Sequence, residues 1–202
     1  MIARILACGI RLVTGVQKCP PDAFEESEHI FIANHASHFD FLVIWATLPH
    51  HVRKHTRPVA AHDYWSKGLV KPWLARSVFR AILVKRKGRN EDGSHPLVPI
   101  HDALSDGDSI IIFPEGTRSE DGQMKAFKPG VYDLASKNPS AKVVPVALDN
   151  LTRILPKGEF LPLPIIGRAY FMDPTQLEEG EDKKEFLHRL SETIAKELNQ
   201  DD

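Results

Sequence analysis

His35 and Asp40 fall within the seven residues NHASHFD, which also hold Asn34 and His38 and follow the apolar run HIFIA. An imidazole and a carboxylate at this spacing admit three kinds of chemistry. The carboxylate can keep one ring nitrogen in its N–H form and leave the other to take a proton from a hydroxyl, as a general base does. His35, His38 and Asp40, joined by His50, His51, His55 or His62, can instead ligate a metal. Or Asp40 can simply open a helix and satisfy a nearby imidazole. Residues five apart on an ideal helix are rotated by roughly 140°, so the first reading needs His35 at a strand-to-helix turn, with the helix beginning near Ser37. The metal reading meets an obstacle, because the later histidines share their stretch with Arg53, Lys54 and Arg57 and no further acid cluster completes a shell.

A second constellation is FPEGTRS, Phe113 to Ser119, which leaves an apolar run through Pro114 into a glycine turn. Gly116 permits a backbone conformation or a close approach that a side chain would block, turning N–H groups toward an oxyanion or phosphate. Arg118 adds a planar fork suited to phosphate, and Glu115 can accept hydrogen bonds from a polyol. Taken alone, a turn closed by a salt bridge is the simpler account.

Elements that would position these residues follow from the apolar pattern. Strands are expected at HIFIA (29–33), RPVAA (57–61), AILVK (81–85), SIIIF (109–113), KVVPVAL (142–148) and GRAYFM (167–172). Helical patterns fall between them, at 39–48, 64–76, 97–104 and 130–137, with a closing helix at 183–198. A Pro-rich connection precedes GRAYFM. Strand and helix in alternation predict an α/β fold, a single domain with a central, largely parallel but mixed sheet flanked by helices. Polar residues gather just past strand ends: Asn34 and His35, Arg86, Pro114 and Glu115, Asp149 and Asn150. In open α/β sheets ligands bind at that edge, so these distant segments can converge there.

At 202 residues, 42% hydrophobic and 26% charged, with a formal charge of −1, the chain has an ordinary globular composition. Nothing in it points to nucleic acid. Cys8 and Cys19 form no CxxC pair, so neither a disulfide framework nor a zinc site follows, and a reducing compartment is expected. Residues 1–17 form an amphipathic helical pattern with Ile2, Ile5, Leu6, Gly9, Val13 and Val16 on one face, which is expected to pack on the domain of 18–202 or to lie in a membrane interface. Between Tyr64 and Arg89 the charges are all basic and interleave with Trp65, Leu69, Trp73, Leu74 and Phe79, a pattern suited to an anionic lipid surface or a phosphate-bearing substrate.

Read together, the two constellations resemble the glycerolipid acyltransferases typified by bacterial 1-acylglycerol-3-phosphate acyltransferase. NHASHFD is similar to the family's NHxxxxD block and FPEGTRS to its third block; VFRAILVKR resembles the arginine block, with Arg86 in place, and VVPVAL the fourth block around Pro145. All four occur in family order over roughly Ile30 to Leu148. The resemblance implies a glycerol-3-phosphate acyltransferase-like fold. It also implies acyl transfer from acyl-CoA or acyl carrier protein to the free hydroxyl of 1-acyl-sn-glycerol-3-phosphate, giving phosphatidate for phospholipid biosynthesis. His35 would be the general base and Asp40 its orienting partner; Arg86, Glu115, Gly116, Thr117 and Arg118 would bind the acceptor. No metal or cofactor is implied. Implied partners are the membrane lipid substrate, an anionic membrane surface and the carrier protein. The implied location is cytoplasmic, peripherally on the inner face of the cell membrane. One departure is Lys85, where the family more often has an acidic or neutral residue before the arginine. The alternatives are a thioesterase or lipid hydrolase using the same pair, though no GxSxG elbow is present, another lysolipid as acceptor, and a lipid-binding module.

Overall fold

HIFIA is apolar from Ile30 onward, as a strand covered on both faces tends to be, and all five of its residues, His29 included, are buried. The computed structural model describes residues 2–14, 17–19, 24, 28–37, 40–86, 88–119, 123–149 and 167–199. Among the described residues, seven strands form one sheet: β1 (Gln17–Cys19), β2 (His29–Ala33), β3 (Thr56–Ala61), β4 (Ile82–Val84), β5 (Ser109–Ile112), β6 (Lys142–Asp149) and β7 (Arg168–Phe171), in the order β1-β7-β6-β2-β5-β3-β4. From β6 to β4 every neighbour is parallel. β7 runs antiparallel to β6, and β1 pairs in parallel with β7. The sheet is therefore largely parallel and mixed, as expected. β1 was not anticipated: QKC is too short and too polar to signal a strand.

The period-two alternation of β2 divides the core. Phe31 and Ala33 point to one face with Ile111, Val144 and Val146, beneath α1 (Ile2–Thr14) and α2 (Asp40–Thr47). Ile30 and Ile32 point to the other with Ile110 and Val143, beneath α6 (Val98–Ser105), α7 (Gly130–Lys137) and α8 (Lys183–Leu198). α8 starts at a capping box, Asp182 accepting from Lys184 N at 2.6 Å and Glu185 N at 2.9 Å while Glu185 accepts from Asp182 N at 3.0 Å. Phe186, Leu190 and Ile194, spaced by four, then bury its inner stripe.

The helix expected over 64–76 is broken. It becomes α4 (His62–Trp65), α5 (Val70–Trp73) and a π turn, Leu74–Val78, while α3 (His50–Arg53) occupies part of the basic stretch before β3. α4 ends at its cap, Ser66, and Gly68, with φ +76°, turns the chain before α5, while the π turn carries Phe79 into the core beside Trp45 and Phe41. At the edge away from the strand C-termini, Asp108 pairs with Arg80 at 2.9 Å and Arg57 at 3.4 Å. Arg80 is the one non-glycine residue with positive φ, +50°, among the described residues, and this double clasp holds it there.

α1 presents a different face to the domain from the one its large apolar residues suggested. Ala3, Leu6, Ala7, Ile10 and Thr14 face inward, whereas Ile2, Ile5, Gly9 and Leu12 face outward. Small residues allow the close approach to α2. Arg11 completes it by donating to the Ala46 carbonyl at 2.6 Å, satisfying the C-terminal end of α2. Val16 lies outside the described residues. We predict that Ala7→Glu, which buries a charge against α2, strips amide protection from residues 2–14 in hydrogen exchange, while Leu12→Glu leaves that protection unchanged.

Candidate active site

β2, β5 and β6 are adjacent and parallel, with Ile32 opposite Ile112 and Ala33 opposite Val146, so the chain leaves β2 and β5 at one edge. The first residue past β2 is Asn34. Its side chain donates to the Leu148 carbonyl at 2.9 Å and accepts from Leu148 N at 2.8 Å. A primary amide has the same donor and acceptor as a peptide unit, so Asn34 extends the β2–β6 ladder by one rung with its side chain. The backbone is thereby free to turn away at His35.

Asp40 opens α2 and governs that turn. Its Oδ2 accepts from His35 Nδ1 at 2.8 Å, Ala36 N at 2.7 Å and Ser37 N at 2.8 Å. His35 sits in the turn, outside the helix, and Asp40 reaches back to it. An ionised carboxylate only accepts, so Nδ1 carries the ring proton and Nε2 keeps its lone pair. The carboxylate is fully buried at the N-terminal end of α2, where helix polarity favours its negative charge. Phe113 stacks on the imidazole with centroids 4.2 Å apart and planes at 20°, fixing the ring on its other side.

Glu115 is buried and turned inward. Oε1 accepts from His35 N at 2.7 Å and Oε2 from Lys125 N at 3.0 Å. Ser119 N donates to the His35 carbonyl at 2.8 Å, so both backbone groups of His35 are held by the 113–119 loop. Burial raises the pKa of Glu115, against the opposing pull of the two N–H bonds. Gly116, at φ +71°, makes the turn, its N–H returning to the Phe113 carbonyl at 3.0 Å. Thr117 and Arg118 are exposed on the outer side of the loop, where Lys125 Nζ donates to the Arg118 carbonyl at 2.7 Å.

Arg86 stands apart. It follows β4, which leaves the same edge but lies three strands from β2, about 14 Å at normal strand spacing. Its Nε is 3.9 Å from Asp63, and no hydrogen bond or ion pair joins it to His35 or to 115–118. His38 lies outside the described residues, among which no group of three or more His, Cys, Asp or Glu is placed to hold a metal. Asn34, Phe113, Ser119 and Lys125 carry structural duties that residue chemistry alone did not assign. For Lys125 and Lys128 a signal existed: two lysines three apart, shortly after the Arg118 loop.

Glu115→Gln turns an NH2 toward one of the two buried N–H donors. It should cost about 1–3 kcal/mol in denaturant unfolding and speed hydrogen exchange at His35 or Lys125. The pH dependence has a definite sign. A raised pKa means the folded state holds this proton more tightly than the unfolded chain, so the contribution is greatest below the unfolded value and declines as pH rises through the folded one. Glu115→Gln should remove that slope.

Comparison with known proteins gives the chain's family and fold. A family model described as Acyltransferase matches residues 12–149, more than half of the chain. The 1-acyl-sn-glycerol-3-phosphate acyltransferase alpha of Ovis aries is 31% identical over 147 residues, covering 70% of this chain and 46% of that protein. A 1-acyl-sn-glycerol-3-phosphate acyltransferase of Chlamydomonas reinhardtii is 28% identical over 149 residues, 73% of this chain and 41% of that one. The chain thus spans about half the length of the curated relatives it matches. In fold it is similar to the crystal structure of the 1-acyl-sn-glycerophosphate acyltransferase PlsC from Thermotoga maritima, with TM-score 0.76 and 21% identity over 98% of this chain and 79% of that one. With the family match running from the end of α1 through β6, across the His35 turn and the Gly116 loop alike, this chain belongs to the acyltransferase family.

Proposed function

We propose that the chain transfers a fatty acyl group from acyl-CoA or acyl carrier protein to the free hydroxyl of 1-acyl-sn-glycerol-3-phosphate, releasing phosphatidate and a thiol. The observation that carries this reading is the 2.8 Å contact between His35 Nδ1 and Asp40, which leaves Nε2 as an oriented base. Nε2 takes the hydroxyl proton as the oxygen attacks the thioester carbonyl. The C–O bond forms, and the tetrahedral intermediate collapses with loss of the C–S bond. The imidazolium returns its proton to the departing sulfur. Asp40 stabilises the imidazolium between the two steps, so no covalent acyl-enzyme is needed.

The reaction belongs at a lipid surface, and two exposed apolar sets support peripheral binding. Ile5 at 66% and Leu12 at 84% exposure lie on α1; Leu69, at 92%, leads with Val70 into α5, where Trp73 is also exposed. Arg4, Arg11, Lys67 and Lys71 flank them. Ala7 and Ile10 of α1, with Trp65 and Leu74 on either side of the second set, pack into one core cluster on the same face of the sheet. A single plane of anionic lipid can meet both sets. No helix among the described residues is long and apolar enough to cross a membrane. We place the chain on the inner face of the cell membrane, working from the cytoplasm.

Purified protein should release thiol from acyl-CoA only when lysophosphatidate is present, with phosphatidate appearing by chromatography and the protein's own thiols subtracted. Release without the lysolipid would mean a thioesterase, and no release from acyl-CoA with release from the carrier protein would assign the donor. His35→Ala should lower turnover about 10²–10⁴-fold without changing the fold; full activity in that variant would overturn the mechanism. Arg118→Ala should raise KM for the acceptor with kcat nearly kept. On vesicles containing phosphatidylglycerol, Leu12→Glu combined with Leu69→Glu should abolish sedimentation with lipid.

A further inference from the structure

The glycine of the 113–119 loop makes room for more than a turn. A Cβ built on Gly116 would stand 2.9 Å from Lys128 Cε and 3.1 Å from its Cδ, and would run into Nζ. The lysine side chain therefore lies across the glycine, its stem filling the place where any other residue would carry a side chain. Lys128 is anchored at its base as well, its N–H donating to the Pro114 carbonyl at 2.9 Å. No ion pair or side-chain hydrogen bond engages its ammonium among the described residues. The one carboxylate of 113–119, Glu115, is turned inward onto the His35 and Lys125 N–H groups. An exposed cationic side chain anchored at its backbone and laid over Gly116, with an uncommitted charge beside the loop that clasps His35, is placed to receive an anion.

We propose that Lys128 is a further substrate-binding residue, its ammonium pairing with a phosphate group of a substrate bound beside His35. Gly116 is then required as the seat of Lys128 as well as for its backbone conformation. The inference rests on the acyl-transfer reading above. Two substrates bring phosphate to this site: the phosphomonoester of lysophosphatidate and the phosphates of coenzyme A.

The test compares Lys128→Met with the parent chain, thermal unfolding first showing that both are folded. Acceptors are lysophosphatidate and monoacylglycerol, which lacks phosphate; donors are acyl-CoA and acyl-pantetheine, which also lacks it. Loss of one charge-assisted contact should raise one KM about tenfold, with kcat changed far less and Lys128→Arg recovering most of the loss. A rise for lysophosphatidate but not monoacylglycerol assigns the acceptor phosphate. A rise for acyl-CoA but not acyl-pantetheine assigns the donor. Gly116→Ala should mimic Lys128→Met, and the double variant should be no worse than the more severe single one. Unchanged KM values for both phosphate-bearing substrates, or equal losses with phosphate-free ones, would overturn the proposal. Absence of phosphatidate with the parent chain would instead overturn the acyl-transfer reading.

Discussion

One oxygen atom organises this protein's working edge. Asp40 Oδ2 receives three N–H groups, from an imidazole and two successive peptide units, and it does so from the first turn of a helix buried beneath the site. Removing a carboxylate from water is costly unless donors replace the lost hydration. Here the turn itself supplies the donors, all of them to Oδ2, while the buried Oδ1 receives none among the described residues. The conformation of 35–37, the orientation of the imidazole and the burial of the charge are thus one solution to one constraint. Asn34, bonded to Leu148 of β6, and Glu115 on the β5 loop extend it to neighbouring strands, so three segments far apart in sequence share a single hydrogen-bonded unit.

That unit explains a division of labour within the Gly116 loop. Its acid serves the interior, holding two backbone donors, while its outer residues remain exposed to a ligand. A rigid interior and an open exterior are what a site needs when it must hold a base steady and still admit a bulky lipid. Under the proposed function, ground-state binding and proton transfer fall to different residues on the same few turns.

Much of this was legible in the sequence, for reasons specific to each element. HIFIA, SIII and KVVPVALD announce themselves because central parallel strands are buried on both faces and select continuous β-branched runs. Helix geometry allowed His35 and Asp40 to meet only across a turn, but NHASHFD alone left metal and helix-start readings open, and the resemblance carried jointly with FPEGTRS decided for the pair. For Glu115, residue chemistry offers a carboxylate to any donor, and the fold adds the two backbone N–H groups, of His35 and Lys125, that the sequence could not show. Residues 64–76 were read as one helix because the apolar spacing is helical, yet the positive φ of Gly68 and the π turn before Phe79 divide it. β1 escaped notice because three residues pairing with a strand some 150 positions away leave no local pattern. Asn150 and most of the Pro-rich connection fall outside the described residues.

α1 shows how tightly two demands can be joined. The face carrying Ala3, Ala7 and Ile10 closes one core cluster, and Arg11 caps α2, the helix that Asp40 begins. The opposite face carries Ile2, Ile5 and Leu12. Trimming this helix to make the protein easier to handle in water would uncover α2 at the end opposite the Asp40 carboxylate. The outward face can be made polar without uncovering α2 by exchanging its side chains one at a time, but not by deleting the helix.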